Sequence, residues 1–200
     1  MRIAINPNHP EPRKIDQAVA SLKRGGVIAY PTDTVYGIGC DIHDKRAVER
    51  IYQMKPMAKD HLLAFLCPDL SDIARYGFVD DRAYRIMRRL APGPYAFILQ
   101  ATKEVPKVLL MKRKTVGIRV PKHPVPQAIM RALGGPIIST SATMNGETLI
   151  DPAEIDEHFP QLDMVLDAEA CGAVASTIID LTGDQPEVIR VGAGPIDAIA

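Results

Sequence analysis

No apolar run in the 200 residues approaches the ~20 needed to span a bilayer, which excludes a membrane helix. The opening residues, Met1-Arg2-Ile3-Ala4-Ile5-Asn6-Pro7, are interrupted too soon to form a secretory signal, so the cytoplasm is the expected compartment. Cysteine is scarce. Cys40, Cys67 and Cys171 lie far apart with no C-x-x-C pair, which excludes a disulfide framework and a zinc spacing. Each sits beside apolar residues and reads as a small buried hydrophobe. His9, His43, His61, His123 and His158 fall in no H-x-x-x-H, so no protein-held metal is expected. Net charge is zero, with 24 Lys and Arg against 24 Asp and Glu, which argues against a protein that coats nucleic acid through bulk charge. Neither G-x-x-x-x-G-K-[ST] nor G-x-G-x-x-G occurs, and Gly192-Ala193-Gly194 is too short to stand for a phosphate loop. No Ser/His/Asp or Cys/His arrangement has a local signature, so no catalytic nucleophile or base is assigned.

What is present is a 46% hydrophobic chain, long enough for one full core and free of repeats or low-complexity tracts. Its 17 prolines punctuate short elements. Ile15, Ala18, Val19 and Leu22 recur at helical spacing and Gly25-Gly26 stops that helix. Val27 to Tyr30 reads as a buried strand ending at Pro31. Asp44 caps a helix presenting Ala47, Val48, Ile51 and Tyr52. Leu62 to Leu66 reads as a strand, and Asp80-Asp81 opens a helix through Tyr84, Met87 and Leu90 that Pro92-Gly93-Pro94 stops. Tyr95 to Leu99 and Thr115 to Val120 read as strands, Pro126 to Leu133 as a helix, and Pro136 to Thr140 as a strand. Asp151-Pro152 starts a short helix. Met164 to Leu166, Thr177 to Leu181 and Val188 to Val191 are late strands with no room for helices between them. The expected fold is therefore a single α/β domain over residues 1–200, a mixed β-sheet flanked by helices.

Four strand ends carry polar residues where the apolar run stops: Thr32-Asp33-Thr34, Arg119, Ser139-Thr140-Ser141 and Arg190. Strand ends in α/β sheets are where ligands bind. Two arginines and several hydroxyls suit an anion such as phosphate or carboxylate. The densest basic clusters are Arg88-Arg89 and Lys112-Arg113-Lys114, candidate contacts for RNA beside the simpler reading of solvated faces.

In these stretches the sequence resembles the YrdC-like family, which includes the threonylcarbamoyl-adenylate synthases and the YciO branch. The resemblance rests on Tyr30-Pro31-Thr32-Asp33-Thr34-Val35-Tyr36-Gly37-Ile38-Gly39-Cys40, Pro92-Gly93-Pro94, Gly117-Ile118-Arg119-Val120-Pro121, Ser139-Thr140-Ser141-Ala142, Ser176-Thr177-Ile178-Ile179-Asp180 and Val188-Ile189-Arg190-Val191-Gly192. It implies a twisted mixed sheet around a positively lined cavity, with a core over about 13–192. It also implies an enzyme that makes threonylcarbamoyl-adenylate from ATP with Mg2+, L-threonine and bicarbonate for tRNA modification. By the same resemblance Thr34, Arg119, Ser139 and Ser176 face threonine, while Lys55, Thr115, Ser141 and Arg190 face ATP or AMP. Three positions depart from the family. Its K-x-R is Lys55-Pro56-Met57, its S-x-N is Ser141-Ala142-Thr143 with Asn145 offering an amide two residues on, and a histidine of many synthases is Leu66. These changes, with Lys103 to Pro106 and Arg113 to Thr115, look more like the YciO branch. The alternative they leave is a non-catalytic protein that binds a nucleotide, tRNA or double-stranded RNA. An inert scaffold would leave the matching Thr32, Thr34, Arg119, Ser176 and Arg190 unexplained.

Overall fold

Apolar residues spaced three and four apart, and cap residues at the ends, account for most of the helices. The computed structural model describes residues 1–55, 63–109 and 114–199. In chain order it contains β1 (Arg2–Ala4), α1 (Pro12–Lys23), β2 (Ile28–Tyr30), β3 (Gly37–Asp41), α2 (Lys45–Met54), β4 (Ala64–Leu66), α3 (Leu70–Tyr76), α4 (Asp81–Leu90), β5 (Tyr95–Gln100), β6 (Thr115–Arg119) and α5 (Pro124–Leu133). There follow β7 (Ile137–Ser141), β8 (Thr143–Met144), β9 (Glu147–Thr148), α6 (Pro152–His158), β10 (Met164–Asp167), β11 (Thr177–Asp180) and β12 (Glu187–Arg190). Asp44, Asp80 and Asp151 each accept a first-turn N–H, so α2, α4 and α6 start where an unpaired donor finds a carboxylate.

Ten strands form one mixed sheet in the order β1-β10-β2-β3-β7-β4-β6-β5-β11-β12. The β1/β10, β10/β2, β4/β6 and β5/β11 pairs are parallel and the remaining five antiparallel. Strand alternation splits the side chains between two faces. Ala29, Ile38, Ile138, Phe65, Ile118, Phe97 and Ile179 point to one face and pack with α2, α3, α4 and α6. Ile28, Tyr30, Ile137, Leu66, Met164 and Leu166 point to the other, where α1 and α5 cover them. Those two helices lie over the β1-to-β7 side, and the second face continues past Leu66 into the polar residues described below.

Several expectations are corrected. Gly37 to Asp41 is a central strand with no counterpart in the sequence reading. Its glycines hide the strand signal and are there for packing. A methyl at Gly39 would lie 2.1 Å from the Ile138 carbonyl oxygen, and one at Gly37 would lie 2.8 Å from the Tyr30 ring. Tyr84 is not on the apolar stripe of α4. It is 46% exposed, one residue off the buried line Ala83, Ile86, Met87 and Leu90. Cys40 and Cys67 are buried as expected, while Cys171 is only half-buried, its thiol 3.7 Å from the Thr32 carbonyl. α5 starts two residues before Pro126, and α3, β1 and the small β8–β9 hairpin have no counterpart in the sequence reading. Leu62 lies outside the described residues. Among the described residues no helix is long and apolar enough to cross a membrane.

The close approach at Gly39 sets a test. Gly39→Ala overpacks the β3/β7 pair and is expected to lower stability by about 3 kcal/mol in urea unfolding. Gly135→Ala, where a methyl meets no atom within 4 Å, is expected to change it by less than about 1 kcal/mol.

Candidate functional site

The uncovered part of the second face is a hollow of about 360 Å³. Strand register explains its membership. Ser139 pairs with Ala64 and Ala64 with Gly117, Leu66 pairs with Arg119, Ala96 with Ile178, and Ile178 with Arg190. The small side chains of Ala64 and Ala96 form a low floor, and Gly117 pairs with Ala64. Around it stand the cations Lys55, Arg119 and Arg190 and the hydroxyls of Ser139, Ser141, Thr143, Thr148 and Ser176. No carboxylate lines it among the described residues.

Arg119 is the most constrained of these groups, only 6% exposed at the end of β6. Its Nη2 donates to Asp33 Oδ1 at 2.6 Å, Nη1 to Thr34 Oγ1 at 2.8 Å and Nε to the Gly93 carbonyl at 3.2 Å. Burial pulls the guanidinium below its ordinary pKa and the facing Asp33 charge opposes that pull. The turn that presents Asp33 and Thr34 is tied by Thr32, whose Oγ1 donates to the Val35 carbonyl at 2.6 Å and accepts from Thr34 N–H at 3.1 Å. Gly93 is held in turn by its N–H on the Val120 carbonyl at 2.9 Å.

Lys55 ends α2 and is 8% exposed. Its Nζ donates to the Ser141 carbonyl, to Thr143 Oγ1 at 2.8 Å and to Thr140 Oγ1 at 3.4 Å. All three are neutral acceptors, so burial pushes the ammonium pKa down to about 8. Arg190, on the edge strand β12, donates from Nε and Nη2 to the Ser176 carbonyl at 3.2 and 2.8 Å. Partial burial lowers its pKa as well.

Of the eight residues carried over from the family pattern, Lys55, Arg119, Ser139, Ser141, Ser176 and Arg190 line this one hollow. Thr34 does not line it and reaches it through Arg119. Thr115 shares the face of Gly117 and Arg119 by alternation but lies opposite Gln100, beyond the lining. Leu66, 2% exposed, supplies an apolar wall. Asn145 is an exposed residue at the tip of the β8–β9 hairpin, with φ +53, and does not line the hollow. Met57 lies outside the described residues. The sequence reading missed Asp33 as the partner of Arg119, although it lies in the quoted loop, and gave no signal for Thr148.

The basic clusters do not converge. Arg88 and Arg89 end α4 beside the start of β5, where they also suit the negative end of the helix dipole. Lys114 accepts from Ala101 N–H at the other end of β5, about 17 Å away along the strand. Arg89 is partly engaged, its Nη2 donating to the Ile199 carbonyl at 2.7 Å. Lys112 and Arg113 lie outside the described residues.

Residues 20–192 match the Sua5/YciO/YrdC domain model, described as "Telomere recombination". The chain is 45% identical over 196 residues to YciO of Escherichia coli strain K12, an uncharacterized protein, covering 96% of this chain and 95% of that one. The crystal structure of E. coli YciO superposes with a TM-score of 0.96 at 44% identity, covering 100% of this chain and 99% of that chain. A threonylcarbamoyl-AMP synthase of Xanthomonas campestris pv. campestris is 35% identical over 182 residues, 85% of this chain and 94% of that protein. Pyrococcus abyssi Sua5 complexed with L-threonine matches with a TM-score of 0.93 at 27% identity, covering all of this chain and 59% of that one.

The Lys55 environment predicts a pH effect of definite sign. Its folded pKa lies below the ordinary 10.5, so the folded state binds fewer protons than the unfolded one between about pH 8 and 10.5. The charged lysine therefore costs stability below pH 8, and that cost disappears as pH rises through this window. Relative to Lys55→Met, the wild-type protein is expected to gain on the order of 3 kcal/mol from pH 7.5 to 10.5 in denaturant unfolding.

Proposed function

The chain belongs to the Sua5/YciO/YrdC family, and from that premise we propose that it binds an adenine nucleotide and L-threonine and forms an adenylate in the manner of a threonylcarbamoyl-AMP synthase. The supporting observation is the collection of Lys55, Arg119 and Arg190 with several hydroxyls in a hollow that no described carboxylate lines. Such a site suits a ligand carrying several negative charges. Lys55 and Arg190 face the phosphates of ATP, which arrives with Mg2+, and Ser141 belongs to that side, while Thr115 stands beyond the lining on the same strand face. Arg119, oriented by Thr34, faces the threonine carboxylate together with Ser139 and Ser176. In the reaction, the amine of threonine and bicarbonate combine to a carbamate with loss of water. A carbamate oxygen attacks the α-phosphorus, the bond to the β-phosphate breaks, and pyrophosphate leaves. The cations stabilise the charge that develops in this exchange.

A second reading has its own support. Leu66 brings hydrocarbon where many synthases have an imidazole, and Lys55 is already held by Thr143. On this reading the protein binds a nucleotide, tRNA or double-stranded RNA without making the adenylate, and Arg88, Arg89, Lys112, Arg113 and Lys114 extend the contact.

Calorimetric titration with Mg-ATP, then with L-threonine and bicarbonate, paired with a pyrophosphate-release assay, separates the two. Synthase action gives threonine-stimulated pyrophosphate release, and Lys55→Met or Arg190→Ala is expected to weaken ATP binding at least tenfold, the loss of one charged hydrogen bond of about 1.5–3 kcal/mol. ATP binding with no pyrophosphate release selects the second reading. Absence of ATP binding overturns both nucleotide assignments. RNA binding that weakens steeply with salt and with Lys114→Glu would then remain as the contact to pursue.

A further inference from the structure

A concavity larger than this hollow lies elsewhere among the described residues. β4 and β6 are parallel neighbours, with Ala64 opposite Gly117 and Leu66 opposite Arg119. The chain leaves β4 into α3 on the first face, where Ile73 and Tyr76 are buried. It leaves β6 into α5 on the second face, where Val125, Ile129 and Met130 are buried. Helices that diverge from adjacent parallel strands open a crevice outside the carboxyl ends of those strands, the place where open α/β sheets bind ligands. Here the crevice is a groove of about 880 Å³, in the size range of small-molecule sites. It shares no lining residue with the anion hollow. The two stand back to back, since Pro92 lines the groove while the next residue, Gly93, accepts from Arg119.

Its walls are apolar and rigid, built from Pro68, Leu70, Pro92, Val120, Pro121 and Pro124. Both helix starts are closed to a ligand. Asp69 Oδ1 accepts from Ser71 and Asp72 N–H at 2.8 and 3.2 Å, and from the Ser71 hydroxyl at 2.5 Å. His123 Nδ1 accepts from Val125 N–H at 3.2 Å, while Pro124 and Pro126 carry no N–H. Asp69 Oδ1 thus serves its own helix. Lys122 and Arg131 remain on the groove as exposed cations, Arg131 with Asp69 in its field and Lys122 with no ion pair among the described residues. Gln127 donates its amide to the Pro121 carbonyl at 3.0 Å, leaving Oε1 buried with no hydrogen-bond partner.

We propose that this groove is a second binding site, distinct from the anion hollow, for a small organic anion whose apolar body lies on the proline-lined wall and whose acidic group is met by Lys122 and Arg131. Charge complementarity selects an anion, because the lining carries two exposed cations, Lys122 and Arg131, against one carboxylate, Asp69. The apolar wall selects an organic body over inorganic phosphate, which would gain nothing from it.

The probe is 8-anilinonaphthalene-1-sulfonate, with the uncharged N-phenyl-1-naphthylamine as its counterpart, titrated by fluorescence into the native full chain. The expected result is one saturable site per chain for the sulfonate, weakened at least tenfold in the Lys122→Glu/Arg131→Glu variant. Arg190→Ala is expected to leave it unchanged. Both altered groups of the double variant are exposed, and a thermal melt checks that it is folded. Equal affinity for the charged and uncharged probes, or no saturable binding, overturns the proposal. So does binding that survives the charge reversal, or that is lost with Arg190→Ala, because the probe would then sit elsewhere. Saturation that depends on protein concentration, with a matching change in sedimentation, would assign the groove to a contact between copies of this chain.

Discussion

A guanidinium that is almost wholly removed from water at the end of a central strand cannot stand alone. Breaking a buried ion pair costs about 3–5 kcal/mol, since the remaining charge has lost its hydration. Arg119 meets that requirement with three partners from two remote segments: Asp33 and Thr34 from the turn after β2, and the Gly93 carbonyl from the stop after α4. Each partner is itself fixed, the turn by Thr32 and the stop by the Val120 carbonyl. The hydrogen bonds of one arginine thereby hold the end of β6 to a loop 86 positions earlier and to the proline-bounded segment before β5. Asp33 also offsets much of what Arg119 can offer a ligand electrostatically, because the two opposite charges lie 2.6 Å apart. The charge of the hollow therefore rests chiefly on Lys55 and Arg190.

The hollow exists because helices cover only part of the second face. α1 and α5 pack over the β1-to-β7 side, and there the strands carry Ile28, Ile137, Met164 and Leu166. Past Leu66 the same face carries Ser139, Ala64, Ala96 and Arg119, which are small or polar. An apolar run there would need a third helix. Small residues keep the floor low enough for a ligand to approach the backbone, whose own hydrogen bonds are met by the neighbouring strands.

Much of this was legible in the sequence because it is local. Helices α2, α4 and α6 announce themselves through Asp44, Asp80 and Asp151, and the polar ends of four strands do converge, since neighbouring strands bring their ends together. β3 was not legible. Gly37 and Gly39 weaken strand propensity, and the reason for them is the Tyr30 ring and the Ile138 carbonyl on adjacent strands. The Arg119–Asp33 pair was hidden for the same reason, since its distance along the chain carries no signal. The two basic clusters illustrate the converse. They read alike as charge runs, yet the described residues fall at opposite ends of β5, and Arg88 and Arg89 lie in the last turn of a helix.

The departures from the family pattern are also more connected in space than in sequence. Thr143, which stands where the pattern has an amide, is a direct partner of Lys55, and the Ser141 carbonyl is another. The Thr143 hydroxyl accepts from the Lys55 ammonium at 2.8 Å on a shorter stem than an amide would have. Leu66 follows the same logic from the other side, adding its methyls to the cluster beneath α1 and α5 instead of a further polar group to the hollow. The substitutions at 66 and 143 thus both make this wall self-sufficient in the absence of ligand. A ligand that uses Lys55 must then displace contacts that are already good, and affinity on this side depends on a charge stronger than three neutral acceptors. A phosphate meets that condition and a neutral group does not.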